Sequence, residues 1–286
     1  MNVWKCGRFE IPLGVKTHVM GILNATPDSF SGDGVLPSQA VARAHQMIAD
    51  GADILDIGGE STRPGAAKIS LEEELARVIP IVALLAREIE IPISVDTTKA
   101  EVARQALDCG ASIINDISGA TFDDAMLDII SKSDCGVVLM HLRGTPQAMG
   151  WSTPFADTEA ANDVIAEIQI FWRERIEAAR ENGIAEERIC LDAGFGFGKS
   201  VEENLEILRR GRELKNFGFP FLSGTSRKST IGKVLNEQKE SERIWGTAAT
   251  VAIAIQNGAD MIRVHDVKEM VQVARMTDAI ARDFFR

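Results

Sequence analysis

Three stretches of this chain are written almost identically: Gly51-Ala-Asp-Ile-Leu-Asp-Ile, Gly110-Ala-Ser-Ile-Ile-Asn-Asp and Gly258-Ala-Asp-Met-Ile-Arg-Val. In each, a glycine closes an amphipathic segment of helical period and an apolar run begins at once. Glycine adopts a positive φ without steric cost, so it is the usual residue just past a helix end. A chain that repeatedly turns from helix straight into buried strand is a layered α/β protein. Apolar strand candidates are Val19 to Leu23, Ile54 to Gly58, Ile93 to Asp96, Ile113 to Ile117, Val137 to Met140, Ile189 to Asp192, Phe219 to Ser223 and Met261 to His265. Helical patterns alternate with them: Ser38 to Asp50, Leu71 to Ile89, Lys99 to Cys109, Asp124 to Ser133, Asp157 to Asn182, Val201 to Leu214, Ser241 to Asn257 and Val267 to Phe285. Eight of each in strict alternation, in 286 residues, predicts a (β/α)8 TIM barrel over residues 18–286, a single domain. Residues 1–17 form an N-terminal extension, read as a short hairpin at the barrel bottom. A doubly wound open sheet is the competing topology.

In a barrel of this kind the chemistry sits where the strands run out, at their carboxyl ends. Strand 1 ends at Asn24 and enters a long loop holding Asp28 and Asp33. Strand 2 is followed by Thr62, Arg63 and Pro64. Strand 3 gives Asp96, on one face with Ser94; strand 4 gives Asn115, on the face of Ile113 and Ile117, whereas Asp116 has the opposite parity and suits a capping role. Strand 5 leads to Met140, His141 and Arg143, and strand 6 to Asp192. Strand 7 runs into Ser226-Arg-Lys-Ser229, and strand 8 carries Arg263 and His265 on one face. Singly, each could be structural. Together they sort into two chemistries. Asp96, Asn115 and Asp192 suit a flat heterocycle with NH donors along one edge, while Arg63, Lys228, Arg263 and His265, with Asn24, suit a phosphate or diphosphate.

The formal net charge of −11 disfavours nucleic acid and anionic membranes, so cations that meet an anionic ligand must be concentrated locally. Cys6, Cys109, Cys135 and Cys190 are widely spaced and form no Cys-x-x-Cys, which fits a reduced, cytoplasmic chain without structural zinc. Lys5, Arg8 and Glu10 interrupt any signal-peptide core, and no apolar run approaches the roughly 20 residues of a membrane span. Gly194-Phe-Gly-Phe-Gly-Lys-Ser200 is a near match to a phosphate-binding loop. The first glycine of that pattern would fall on Ala193, and two phenylalanines would crowd the phosphates, so Phe197 reads as a wall against an aromatic ligand.

Eight motifs in order carry a family resemblance over nearly the whole chain. They are Met20-Gly-Ile-Leu-Asn-Ala-Thr-Pro-Asp-Ser-Phe-Ser, Asp56-Ile-Gly-Gly-Glu-Ser-Thr-Arg-Pro-Gly-Ala, Ile93-Ser-Val-Asp-Thr, Ile114-Asn-Asp-Ile, Leu139-Met-His, Gly194-Phe-Gly-Phe-Gly-Lys, Ser226-Arg-Lys-Ser and Arg263-Val-His-Asp-Val. Together they resemble the dihydropteroate synthases of bacterial folate synthesis, the targets of sulfonamides. The resemblance implies a homodimeric barrel transferase that joins 6-hydroxymethyl-7,8-dihydropterin diphosphate to 4-aminobenzoate with Mg2+. It implies that Asp96, Asn115, Ile117, Met140, Asp192 and Lys228 hold the pterin. Asn24, Arg63, Arg263 and His265 hold the diphosphate, Asn24 also meeting the metal, and Thr62, Pro64, Phe197, Ser226 and Lys228 form the aminobenzoate pocket. Arg63, Asp96, Lys228 and Arg263 are the residues it marks for catalysis. The chain departs from the family at Ala25, at Ala193, and at Ser31-Gly-Asp-Gly34, where the loop carboxylate Asp33 is shifted by one place.

The implied reaction is dissociative and SN1-like: diphosphate leaves, the pterin methylene carries transient positive charge, and the arylamine attacks. Alternative readings are a methyltetrahydrofolate methyltransferase type of barrel, a Schiff-base aldolase using Lys228, and a silent pterin-binding protein. The basic set weighs against the methyltransferase.

Overall fold

A computed structural model describes residues 2–25, 37–61, 68–145 and 163–282. The expectations at Asp33, Thr62, Arg63 and Pro64, and the helical pattern before Val164, lie outside those residues. Ten strands are described: β1 (Val3–Cys6), β2 (Phe9–Pro12), β3 (His18–Asn24), β4 (Ile54–Gly58), β5 (Ile93–Asp96), β6 (Ile113–Asp116), β7 (Gly136–Met140), β8 (Ile189–Asp192), β9 (Phe221–Ser223) and β10 (Met261–Val264). The last eight are parallel and close into a barrel in the order β3 to β10, with β10 returning to β3. This is the (β/α)8 barrel that the alternation predicts, and the open sheet is excluded.

The repeated glycine joints work as the sequence implies. Gly51, Gly110 and Gly258 have φ of 104°, 109° and 100°. At each, the glycine N–H reaches back to Ile48, Leu107 or Ile255, and the alanine N–H to Met47, Ala106 or Ala254, the paired bonds of a Schellman motif. The next N–H, from Asp53, Ser112 or Asp260, already donates to a neighbouring strand, at Val19, Ile93 or Phe221. Helix end, turn and strand start therefore share three consecutive residues.

The outer helices are α1 (Pro37–Ala49), α2 (Leu71–Glu88), α3 (Ala100–Asp108), α4 (Met126–Ser131), α5 (Val164–Glu181), α6 (Val201–Arg209), α7 (Gly211–Lys215), α8 (Ser229–Leu235), α9 (Ile244–Gln256) and α10 (Val267–Ala281). Two differences from the sequence pattern stand out. The helix expected over Val201 to Leu214 breaks at Arg210, and Ser229–Leu235 is a helix in a stretch to which the sequence pattern assigns no element. Strand β9 starts at Phe221 because Pro220 has no N–H to donate.

Strand residues alternate between two cores. Val19, Leu55, Ile57, Val95, Ile114, Leu139, Leu191, Ile262 and Val264 face outward and pack under the helices. Met20, Ile54, Ile113, Val138, Cys190, Leu222 and Met261 face inward at the amino end, where Trp4, Cys6 and Ile11 of the antiparallel β1–β2 hairpin pack against them. Trp4 is fully buried and its Nε1 donates to Arg188 O at 2.9 Å. The four cysteines are free thiols. Among the described residues no helix is long and apolar enough to cross a membrane.

Candidate active site

Two residues further along five of the eight barrel strands the inward face carries an acid, an amide or a guanidinium. Ile54 is followed by Asp56, Ser94 by Asp96, Ile113 by Asn115, Cys190 by Asp192 and Met261 by Arg263. Asp56, Asp96, Asn115 and Asp192 are all buried. Arg263 draws them together: its Nε donates to Asp56 Oδ2 at 2.6 Å and its Nη2 to Asp96 Oδ2 at 2.7 Å. Asn115 Nδ2 donates to the same Asp56 oxygen at 3.2 Å. Gly224 lies beside both Arg263 and Asp192, its position for a side chain being 3.8 Å from Arg263 Cβ and 3.9 Å from Asp192 Oδ2. Asp96, Asn115, Asp192, Lys228 and Arg263, expected from the sequence, thus form one cluster.

Asp56 was not singled out in the sequence, although it is the anchor of this cluster. It stood inside an apolar run and passed as part of a buried strand. The two-residue period would have exposed it, since it shares the inward face with Ile54 and Gly58. Its Oδ1 is buried with no partner in the protein, as is Ser94 Oγ on the adjacent strand.

The field in this cluster shifts its titrating groups. Burial, reinforced by the Asp56 charge and opposed by Arg263, raises the Asp96 carboxyl to about 7. Burial also raises Asp192, with the Lys228 charge opposing it. Lys228 is lowered to about 7 by burial, against the pull of Asp192. Arg263 stays cationic: burial disfavours its charge, but Asp56 and Asp96 more than restore it.

Lys228 comes from the turn between β9 and α8. That turn is held by Arg227, whose φ is 58°, whose N–H donates to Thr247 Oγ1 at 3.0 Å and whose carbonyl accepts from Arg243 Nη1 at 2.9 Å. The Lys228 ammonium donates to Phe195 O and sits 4.1 Å from the centroid of the Phe197 ring. A side chain at Gly196, whose φ is 84°, would come within 2.7 Å of Lys228 Cδ, so only glycine lets the lysine lie across this loop. Ser226 Oγ and His265 Nδ1 are 3.0 Å apart, and His265 N–H donates to the same hydroxyl at 3.2 Å. Ile117, Met140 and Phe197 form a small apolar cluster at this rim. Asn24 ends β3 in register with Gly58.

Other polar groups at the strand ends are structural, as strand parity implies for Asp116. Asp116 caps its own turn, accepting from Ser118 N at 2.7 Å and Ser118 Oγ at 2.6 Å. Arg143 is tied to Glu167 and Glu203, and His141 packs beside Glu167. Lys199, of the near-phosphate loop, is buried and donates to the carbonyls of His141, Gly194 and Phe197 at 3.2, 2.9 and 3.2 Å. An ammonium spent on its own loop does not hold a ligand phosphate. Asp192 Oδ1 accepts from Gly194 N at 2.7 Å, which orients that carboxylate. A cavity of about 520 Å³ opens along the rim, lined by Glu60, Asp96, Thr97, Lys99 and Ile117 among others.

Residues 20–265 match the model of a family described as pterin binding enzyme. The chain is 50% identical over 271 residues to the dihydropteroate synthase of a Synechocystis species, covering 94% of this chain and 92% of that one. Its fold is similar to a Clostridium difficile dihydropteroate synthase determined in the presence of pteroic acid, with TM-score 0.87, 46% identity, and coverage of 94% of this chain and 98% of that one. It is also similar to the Yersinia pestis enzyme in a sulfonamide complex, with TM-score 0.90, 41% identity, and coverage of 97% and 98%.

Proposed function

The chain belongs to the pterin-binding enzymes, and we propose that it condenses 6-hydroxymethyl-7,8-dihydropterin diphosphate with 4-aminobenzoate, giving 7,8-dihydropteroate and diphosphate as a dihydropteroate synthase does. The observation that carries this reading is the clustering of Asp96, Asn115 and Asp192 with Arg263 and Lys228 at the carboxyl ends of the strands. Three acceptor-bearing side chains match the NH-rich edge of a pterin, and Ile117 and Met140 match its flat face. Arg263, His265, Asn24 and Arg63 grip the diphosphate. Thr62, Pro64, Phe197, Ser226 and Lys228 receive the aminobenzoate, with the Lys228 ammonium over the Phe197 ring closing one side. The pteroic acid and sulfonamide of the two solved relatives are the ligands that such a pocket takes.

Mg2+ fits this donor set as a substrate-borne ion. Magnesium takes oxygen ligands and commonly rides on phosphates, and Asn24 offers one amide oxygen at the end of β3; among the described residues no group of three metal-ligating side chains exists. When bound, it would offset charge on the leaving diphosphate. The remaining work falls to the protein. Arg263 stabilises the departing anion, and the ionised Asp96 and Asp192 stabilise the positive charge that develops on the pterin methylene. Binding holds the arylamine against that carbon, so no covalent enzyme intermediate is needed.

The chain functions as a cytoplasmic homodimer. Helix α9 carries no charged residue from Ile244 to Gln256, and Trp245 on it is 81% exposed. Leu235 of α8 and Met276 and Ile280 of α10 are exposed as well, an apolar surface suited to a second copy. The test of function is direct: pure protein with pterin diphosphate, aminobenzoate and Mg2+ yields dihydropteroate and diphosphate in equal amounts, and a sulfonamide competes with aminobenzoate. Pterin binding without product would instead identify a silent binder.

A further inference from the structure

We propose that Asp56 is a positioning residue for the condensation: its Oδ2 fixes which edge of the Asn115 amide meets the pterin, and it anchors the Arg263 guanidinium. This rests on the reading that Asn115 meets the ring and Arg263 the diphosphate. Asp56 lies one inward step beneath the residues assigned to the ligand. It is in register with Ser94 of β5, whereas Asp96 is in register with Gly58 on one side and Asn115 on the other. The Asp56 side chain is fully buried, while that of Arg263 is 19% exposed. A group so placed acts through its neighbours.

One oxygen serves two of them. Asp56 Oδ2 accepts from Arg263 Nε at 2.6 Å and from Asn115 Nδ2 at 3.2 Å. A carboxylate only accepts, so the Asn115 amide has to turn its NH2 group toward Asp56 and its oxygen the other way. Held so, Asn115 offers an acceptor to a ring N–H; flipped, it would set donor against donor. Arg263 is gripped at Nε, the nitrogen nearest its stem, and its Nη2 donates to Asp96 Oδ2 at 2.7 Å. The guanidinium can therefore turn about the Asp56 bond and pass Nη2 from Asp96 to the diphosphate without leaving β4. The Asp56 charge also helps to keep Arg263 cationic against burial. The other oxygen, Oδ1, is buried without a protein partner, as is Ser94 Oγ on the strand beside it. A carboxylate kept for stability alone would have both oxygens satisfied.

The experiment compares Asp56→Leu with Asp56→Asn, with Asn115→Ala as reference and melting temperatures recorded. Affinity for 6-hydroxymethyl-7,8-dihydropterin, which lacks the diphosphate, is read by calorimetry, and two-substrate kinetics give kcat and the aminobenzoate KM. Asp56→Leu removes the acceptor. Asp56→Asn keeps it, because Arg263 only donates and so draws the new amide oxygen into the Oδ2 position, where it also serves Asn115. The expected result for Asp56→Leu is about a tenfold loss of dihydropterin affinity and about a tenfold fall in kcat, with the aminobenzoate KM within about twofold of the parent. Asp56→Asn should stay within about threefold of the parent in affinity and kcat. Equal losses in the two variants, or a lower melting temperature with affinity and kcat unmoved, would overturn the inference. Should Asp56→Leu not fold, Asn115→Asp is placed in the parent and in Asp56→Asn: its cost in affinity should be about tenfold greater in the parent, where two carboxylates meet, and equal costs would again overturn the inference. If Asn115→Ala weakens dihydropterin binding and Asp56→Leu does not, the inference alone fails. If Asn115→Ala leaves that binding unmoved, the assignment of Asn115 to the ring fails and the inference with it.

Discussion

The two ends of the barrel are built from the same face of the same strands, yet they share almost no chemistry. At the amino end Met20, Ile54, Ile113, Val138, Cys190, Leu222 and Met261 close on Trp4, Cys6 and Ile11 in a dry plug. One side-chain step along, the inward positions hold Asp56, Asn115, Asp192 and Arg263, a cluster whose charges are buried and whose Asp56 Oδ1 is left without a protein partner. Apolar burial at one end supplies stability that the other end forgoes, because buried charges and an orphaned acceptor cost free energy until a ligand meets them. A barrel thus keeps its scaffold and its chemistry about one layer of side chains apart.

Substitutions at the two ends should therefore separate stability from activity. Trp4→Ala is expected to lower unfolding free energy by about 3–5 kcal/mol, measured by urea titration, with both KM values unchanged at a temperature where the variant is folded. A shifted KM would break the division. Arg263→Lys, which keeps a cation beside the buried Asp56 and Asp96 but loses the guanidinium fork, reverses the pattern: kcat/KM should fall by about 10–10²-fold, roughly 1.4–2.7 kcal/mol of transition-state stabilisation, while the urea midpoint moves far less than for Trp4→Ala. Asp96→Asn places an amide donor against a ring donor and should weaken pterin binding by about 1–3 kcal/mol by calorimetry. Unchanged affinity would remove Asp96 from the ring site.

The smallest effect is a pH dependence. Asp96 has its carboxyl raised to about 7 from 3.8, so it is an acid below that value and an acceptor above it. Its raised pKa stabilises the empty fold at low pH, and that contribution is lost as pH rises through about 7. Ring binding needs the carboxylate, so ligand affinity moves the opposite way. The rise in melting temperature on adding pterin diphosphate should accordingly grow several-fold in affinity terms between about pH 6 and 8, and Asp96→Asn should flatten it.

How far the sequence reaches follows the same division. The scaffold is local information: the glycine joints, the apolar runs and the two-residue period placed β4, β5 and β8 to the residue. Helix Ser229–Leu235 is short and follows the Ser226-Arg-Lys-Ser229 turn directly, and its buried residues Thr230, Ile231 and Gly232 are consecutive, so they give no helical period to read. In the site, single residues were legible by parity but pairings were not. Arg263 meets Asp56 across 207 positions of sequence, a contact that only barrel closure creates. The groups that occupy Arg143 and Lys199, namely Glu167, Glu203 and three carbonyls, come together only in the folded chain. Thr62, Arg63 and Pro64, assigned from the family motif, carry the part of the site that rests on sequence alone.

A crystal structure with bound pterin diphosphate tests the central claim most directly. The ring edge should lie within hydrogen-bond distance of Asp96, Asn115 and Asp192, with the Arg263 guanidinium drawn from Asp96 toward the diphosphate. A ring seated instead in the flanking cavity beside Glu60 and Lys99, with Arg263 still bonded to both Asp56 and Asp96, would contradict it.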